Sequence, residues 1–534
     1  MPSRQYRAGL QAALILTIAA PLALTAQQPP PHFDAYVRRV MQTFTVPGVA
    51  VAIVKDGKVV LARGYGVLRM GDSTPVDART RFGIASNTKL FTATALAMLV
   101  EEGKVEWDKP VTTYLPGFAM SDPYVTHELT VRDLLVHRSG LGLGAGDLLW
   151  WPPSTYNRKE IARRIRYIPL STSFRSAYAY DNVLYLVAGE LIETVSGKSW
   201  EEFVKTRILD KVGMTESDVR HSGATAAGNV AGTHAEVSDT VRPVPPFASD
   251  NTNPAGGIMS GAADMAKWVM VQLDSGKVAD GSRLFSAASA RQLWREVTPT
   301  PIGEPPGGMQ QLAHLRPTMS GYALGLGVRD YRGYVLRQHT GGLPGYVSKV
   351  AMIPDLRLGV VVLTNQESGL AFESIVYPVL DHYIGVKAPD YLGLFQQLRQ
   401  RNRQKLREAQ QKAGAARDST SGPSLPLAKY AGVYRDPWYG DVWIGPGPKG
   451  LTIRFTRTPV LVGDLVHWQH DTFLARWQDR TLRADAYATF SLNPDGTVER
   501  LKMVPASEDV DFSFDFQDLD LRPAVDSGPR SIQH

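Results

Sequence analysis

The chain has no cysteine among its 534 residues. That removes disulfides, thiol nucleophiles, cysteine-ligated zinc and an acylated lipoprotein cysteine together. No Gly-x-Ser-x-Gly occurs, which argues against the nucleophile elbow of α/β-hydrolases. Nor do the histidines form a metal-ligand pattern, because His467 and His470 have no third ligand at a usable spacing. Two nucleotide-binding look-alikes fail on context. Gly445-x-Gly447-x-x-Gly450 contains Pro446 and Pro448 and lies between two strand patterns, and Gly197-Lys198-Ser199 has Ile192 where a phosphate loop needs its first glycine. Both read as turns. There is no internal repeat, and beyond the N-terminus no apolar run is long enough to cross a bilayer.

What is present begins with a leader pattern. Arg4 and Arg7 precede a charge-free, apolar stretch that ends in small residues near Ala26 and a Pro-rich tail. This order predicts a secretory signal peptide over residues 1–26, so the protein is expected to be exported, periplasmic or extracellular, with an uncleaved anchor as the alternative. The formal net charge is +6, but it is concentrated. Residues 399–418 hold seven lysine or arginine side chains against two carboxylates, and the rest of the mature chain is nearly neutral. No nucleic-acid face is expected; the basic run reads as a solvated linker helix.

The length calls for more than one domain. HFDAYVRRVMQTF has helical apolar spacing, and VPGVAVAIVKDGKVVLARGYG reads as a hairpin turning on Asp56-Gly57. Helices are predicted over Leu90–Val100, over LTVRDLLVHRSG with Thr130 as N-cap, and from Asn182 to about Val195. From about residue 320 four strand patterns separated by short turns predict an antiparallel meander. The first and last strands should therefore share one sheet with helices packed on it. Residues 391–424 read as a basic linker. Beyond them, 425–522 shows short strands, turn signals such as NPDG at 493–496 and four of the ten tryptophans, which predicts a small all-β domain.

Three short patterns carry chemistry. Ser86 and Lys89 stand three residues apart at a helix start, so they share a face and lie near unpaired backbone N–H groups. A serine hydroxyl needs a base, and an amine serves only when its pKa is lowered. Tyr180 and Asn182 lie at i and i+2 of an extended segment and can face one cleft. A tyrosine near a lysine would have its phenolate stabilised and become a base. His339, Thr340, Gly341 and Gly342 end a strand that turns back, where glycine lets a substrate approach the backbone.

In this order the patterns resemble the serine β-lactamase and penicillin-binding-protein superfamily, in its class C β-lactamase, D-alanyl-D-alanine carboxypeptidase and family VIII esterase branch. The resemblance runs from about Phe33 to Asp381 and includes FGIASNTKLFTATALAMLVEEGKVEWDKP, YDNVLYLVAGELIETVSGKSWEEFV and HTGGLPGYVSKVAMIPDLRLGVVVLTN. It implies an α+β (α/β) fold, with an antiparallel sheet flanked by helices and a mostly helical subdomain, over residues 32–390. A small barrel-like β domain follows. Ser86 would form an acyl-enzyme, Lys89 would assist its deprotonation, and Tyr180 would shuttle the proton. Asn182, His339, Thr340, Gly341 and Gly342 would bind substrate, with the N–H groups of Ser86 and Gly342 as the oxyanion hole. The substrate would be a small molecule or peptide, and no cofactor or metal is implied.

Where dedicated β-lactamases and carboxypeptidases carry a lysine, this chain has His339, and where serine is common it has Asp181. A neutral imidazole gives up a fixed positive charge, which favours an esterase, amidase or peptidase. The alternatives are a true β-lactamase or D,D-carboxypeptidase, and a non-catalytic penicillin-binding or sensor protein. Every named residue precedes Asp381, so the reaction centre is expected to be complete without the β domain.

Overall fold

A computed structural model describes residues 28–224 and 228–524. The expected signal peptide lies outside the described residues. The predicted hairpin forms between strands β1 (Gly48–Lys55) and β2 (Lys58–Gly66). Its turn has φ of 52° at Asp56 and 73° at Gly57, left-handed values that Asp-Gly adopts readily. The C-terminal part of the same domain adds β3 (Thr298–Pro299), β4 (Ser320–Tyr322), β5 (Gly327–Tyr331), β6 (Tyr334–Leu343), β7 (Tyr346–Ile353) and β8 (Leu358–Thr364). They complete one antiparallel eight-stranded sheet in the order β2-β1-β8-β7-β6-β5-β4-β3. The first hairpin and the last strand thus pair as expected, with Val51 opposite Val362.

Strand β1 is buried on both faces, and alternation splits its side chains between two cores. Val49, Val51 and Ile53 pack with helix α1 (Phe33–Phe44) and with Ile375 and Val379 of a helix over Gly369–Ile384. Ala50, Ala52 and Val54 point the other way, into a core shared with helix α2 (Lys89–Glu101) and with Met265, Trp268 and Val269 of a helix over Ala262–Leu273. Phe91 of α2 stacks on Trp268 with ring centroids 3.9 Å apart. Helix α2 is buried at nearly every position, so the turn with Ser86 just ahead of it is anchored in the middle of the domain.

One expectation changes. LTVRDLLVHRSG does not make an α-helix; only a 3-10 turn forms, over Arg132–Leu135. The reason is Asp133, whose buried carboxylate accepts from Thr130, Arg138 and Arg175, so the chain wraps around an ion-pair hub. His137 then takes a left-handed φ of 56°. The basic run forms the expected helix, largely exposed over residues 400–416, and the turns ahead of it are docked. A helix runs from Tyr391 to Ala416, its first turns bury Tyr391, Phe395 and Leu398, and Arg399 pairs with Glu236 at 2.7 Å.

The C-terminal domain is all-β. Its strands are β9 (Gly432–Asp436), β10 (Gly440–Gly447), β11 (Gly450–Phe455), β12 (Val462–Gln469), β13 (Thr472–Trp477), β14 (Ala486–Leu492), β15 (Val498–Pro505) and β16 (Arg522–Pro523). They form an antiparallel sheet in the order β15-β14-β13-β12-β11-β10-β9-β16. A bridge between Leu501 and Leu521 brings its two ends together, so the sheet is a nearly closed barrel around Trp477, Phe455 and Phe516. The barrel is docked on the catalytic domain: the Arg164 guanidinium donates to the Trp438 carbonyl at 2.8 Å, and the Thr155 N–H to the Arg457 carbonyl at 2.8 Å.

Candidate active site

The two-residue strand Phe82–Gly83 pairs with Met259–Ser260, and the Ile84 N–H donates to the Ile258 carbonyl at 3.0 Å. Ala85 follows with φ of 50°, a left-handed conformation uncommon for a residue with a Cβ. Ser348 of β7 fixes it by donating to the Ile84 carbonyl at 2.7 Å while accepting from the Asn87 amide at 2.8 Å. A 3-10 turn over Ala85–Thr88 then leads into α2. Ser86 lies inside that turn, lines the cleft, and its hydroxyl oxygen accepts from Lys89.

Lys89 has no solvent exposure, and its ammonium donates to the Ser86 Oγ at 3.0 Å, the Asn182 Oδ1 at 2.7 Å and the Ala255 carbonyl at 3.0 Å. Burial pulls its pKa down to about 7, and the carboxylates of Asp147 and Asp181 act in the opposite sense. The spacing of Ser86 and Lys89 therefore delivers an amine able to change charge near neutrality, one hydrogen bond from the hydroxyl.

Tyr180 and Asn182 both line the cleft, and Asp181 between them turns inward, where its side chain is 1 % exposed. The alternation predicted for this segment holds. The Lys89 nitrogen lies 4.9 Å from the centre of the Tyr180 ring. The expected phenolate does not fit these surroundings, however. Burial raises the Tyr180 pKa well above its ordinary value, and the neighbouring Ser86 opposes this only in part. The phenol keeps its proton, and Lys89 is the group poised to accept one.

Strand β6 closes the other side, carrying His339, Thr340, Gly341 and Gly342. His339 is buried, its Nδ1 faces the Thr340 carbonyl, and its Nε2 lies 2.7 Å from the Tyr322 hydroxyl. A carbonyl only accepts, so Nδ1 carries the proton and Nε2 accepts from Tyr322. Burial lowers the His339 pKa to about 3, with Lys89 adding repulsion. Both ring nitrogens are occupied and the ring is neutral. The two glycines differ in role. A Cβ on Gly341 would lie 2.3 Å from the Ile84 carbonyl oxygen, so this glycine lets β6 approach the Ser86 turn. A Cβ on Gly342 would meet nothing within 4 Å, because this residue faces open space.

Several residues of the site escaped the sequence reading. Asp147 accepts from the Asn182 amide at 2.8 Å, the Trp150 indole at 2.8 Å and the Ser513 hydroxyl at 2.9 Å. Burial raises its pKa to about 7. Ser513 belongs to the loop between β15 and β16 of the barrel. In the same loop Asp515 accepts from the backbone N–H groups of Gly146 and Leu148 at 2.6 and 3.0 Å, and Phe512 meets Tyr180 edge-on at 6.1 Å. The site is therefore not complete before Asp381. A cavity of about 490 Å³ is lined by Ser86, Tyr180, Asn182, His339, Phe512 and Ser513 among others. Arg329 lines its outer part, held by the carbonyls of Leu315 and Asp330.

Comparison with known proteins places these features. Residues 33–380 match the Beta-lactamase family profile, and residues 416–523 match a domain of unknown function, DUF3471. The chain is 29% identical over 487 residues to the unguisins hydrolase ungD' of Aspergillus campestris, covering 87% of each chain. It is 30% identical over 435 residues to the unguisins hydrolase ungD of Aspergillus violaceofuscus, covering 76% of this chain and 75% of that one. Among solved structures, the octameric penicillin-binding protein homologue from Pyrococcus abyssi superposes with a TM-score of 0.58 at 21% identity, over 92% of this chain and 98% of that one. The match spans more than half of the chain, and the chain belongs to the beta-lactamase family of serine hydrolases.

Proposed function

We propose that the protein is an exported hydrolase that cleaves uncharged esters or amides, small or peptidic, through an acyl-enzyme on Ser86. The observation that carries the reading is the 3.0 Å bond between Ser86 and a fully buried Lys89 whose pKa is about 7. In the neutral form Lys89 takes the hydroxyl proton as Ser86 Oγ attacks the carbonyl carbon. The backbone N–H groups of Ser86 and Gly342 receive the oxyanion. Tyr180 gives its proton to the departing oxygen or nitrogen and is reprotonated through Lys89. Water then attacks the acyl-enzyme by the reverse relay and frees the acid. Asn182 holds Lys89 through its carbonyl oxygen and is itself held by Asp147. Relatives named as hydrolases over most of the chain support the same reading.

The preference for uncharged substrates follows from His339. A free carboxylate needs a cation, and a charge-assisted bond contributes about 1.5–3 kcal/mol. With His339 neutral and both its nitrogens engaged, that contribution is absent. A matched methyl ester and free acid should differ in kcat/KM by about tenfold to a hundredfold in favour of the ester. Because the His339 pKa is pulled down to about 3, acidification to pH 5 should leave that ratio unchanged. His339→Lys should move it toward the acid, and Ser86→Ala should abolish turnover of both. An unchanged ratio in His339→Lys would direct attention to Arg329 as the carboxylate partner and favour the β-lactamase or carboxypeptidase alternative.

A further inference from the structure

A second cavity, of about 450 Å³, adjoins the first. The two share Trp151, Gly342 and Asp511, so one begins where the other ends, at the open face of Gly342. Its walls come from both domains: Trp151, Phe247 and Pro344 on one side, and Val460, Leu482 and Phe514 of the barrel on the other. Trp151 stacks on Phe247 at 5.5 Å and meets Phe514 edge-on at 6.4 Å, which makes the wall a fixed aromatic surface. The charges around it are unbalanced. Glu367, Asp479, Asp509 and Asp511 line the cavity, and the one cation lining it among the described residues, Arg483, is bound to Glu367 at 2.6 Å. None of Ser86, Lys89, Tyr180 or Asn182 lines it.

We infer that this second cavity holds the acyl half of the substrate, and that this half is a bulky apolar group without negative charge. The inference rests on acylation of Ser86 as set out above. The departing atom must take its proton from Tyr180, and Tyr180 lines only the first cavity. The departing group therefore occupies the polar cleft, and the acyl group extends past Gly342. There, indole, phenyl and proline surfaces reward the removal of apolar area from water, while the carboxylates repel an anion.

The test uses three p-nitrophenyl phosphonates that share a leaving group and differ in the group on phosphorus: methyl, 2-phenylethyl and 2-carboxyethyl. Oγ of Ser86 displaces p-nitrophenolate in each, so release at 400 nm gives the rate and peptide mass gives the labelled residue. With rates divided by those of hydroxide alone, the phenylethyl probe should label Ser86 about tenfold or more faster than the methyl probe, the worth of burying a ring. The carboxyethyl probe should be slower than the methyl one. Leu482→Arg and Val460→Arg, both on the barrel, should each bring the phenylethyl advantage down to about threefold or less. Equal labelling of Ser86 by the methyl and phenylethyl probes, or an advantage that both arginine variants leave intact, would overturn the assignment of this cavity alone. No adduct at Ser86 from any probe would overturn the nucleophile and the cavity together.

Discussion

The role proposed for Lys89 depends on what surrounds it. Its ammonium faces the carboxyl groups of Asp147 and Asp181, the rings of Tyr180 and Tyr185, and the neutral imidazoles of His137 and His339. Catalysis needs the neutral amine, so kcat/KM should rise with pH through about 7. Asp147 raises the Lys89 pKa, and the Ser513 hydroxyl helps keep Asp147 ionised. Asp147→Asn removes that negative charge, and Ser513→Ala weakens it. Both variants should move the rising limb to lower pH, by up to about one pH unit, and Ser513→Thr should restore it. A purely structural role for Ser513 would lower kcat without moving the limb. Ser86, Lys89, Tyr180 and Asn182 were legible in the sequence because each pair is set by local geometry, one turn of helix or two steps of extended chain. Asp147 and Ser513 were not, because the bond between them spans 366 residues and no local pattern encodes it.

At the level of elements, the reactive serine is held by a strand crossing rather than by its helix alone. Strand β6 comes close enough to the Ser86 turn that Gly341 has no room for a methyl group, whereas Gly342 next to it has ample room. Gly341→Ala should therefore cost about 1–3 kcal/mol of stability, or push the turn out of place and slow labelling of Ser86. Gly342→Ala should keep the wild-type melting temperature. Thermal unfolding of the two variants separates these outcomes, and equal melting temperatures would mean that the crossing is looser than described. The hairpin at Asp56-Gly57 and the meander were legible because turn chemistry and apolar alternation agree there. The segment LTVRDLLVHRSG misled because its apolar spacing is helical, and the buried carboxylate of Asp133 outweighs that spacing by gathering three ion-paired or hydroxyl donors.

At the scale of the whole molecule, the barrel is structurally part of the catalytic cleft. Asp515 ties down the loop that carries Asp147, Ser513 holds Asp147 itself, and Phe512 walls the cavity beside Tyr180. Truncation after residue 418 leaves the Gly146 and Leu148 N–H groups without their carboxylate partner. Bonds of this kind contribute about 1.5–3 kcal/mol each. The truncated protein should therefore label at Ser86 about tenfold or more slowly than the full chain, measured on soluble material whose circular dichroism shows a folded core. Full-rate labelling would mean that the barrel only borders the site. That an all-β domain follows the catalytic one was legible from composition, but their joint construction of the cleft was not, since only the folded chain brings the loop before β16 against Tyr180.

The Ser513–Asp147 bond also sets an order in time. A ribosome that has just placed Asp147 must add 366 more residues before the hydroxyl that steadies it exists. At about 5–20 residues per second, that is about 20–70 s during which Ser86 and Lys89 already exist and the eight-stranded sheet is completed, but the cleft is unfinished. The nascent chain thus carries Ser86 beside an unfinished cleft, and the full labelling rate is expected only once the barrel has been synthesised and docked.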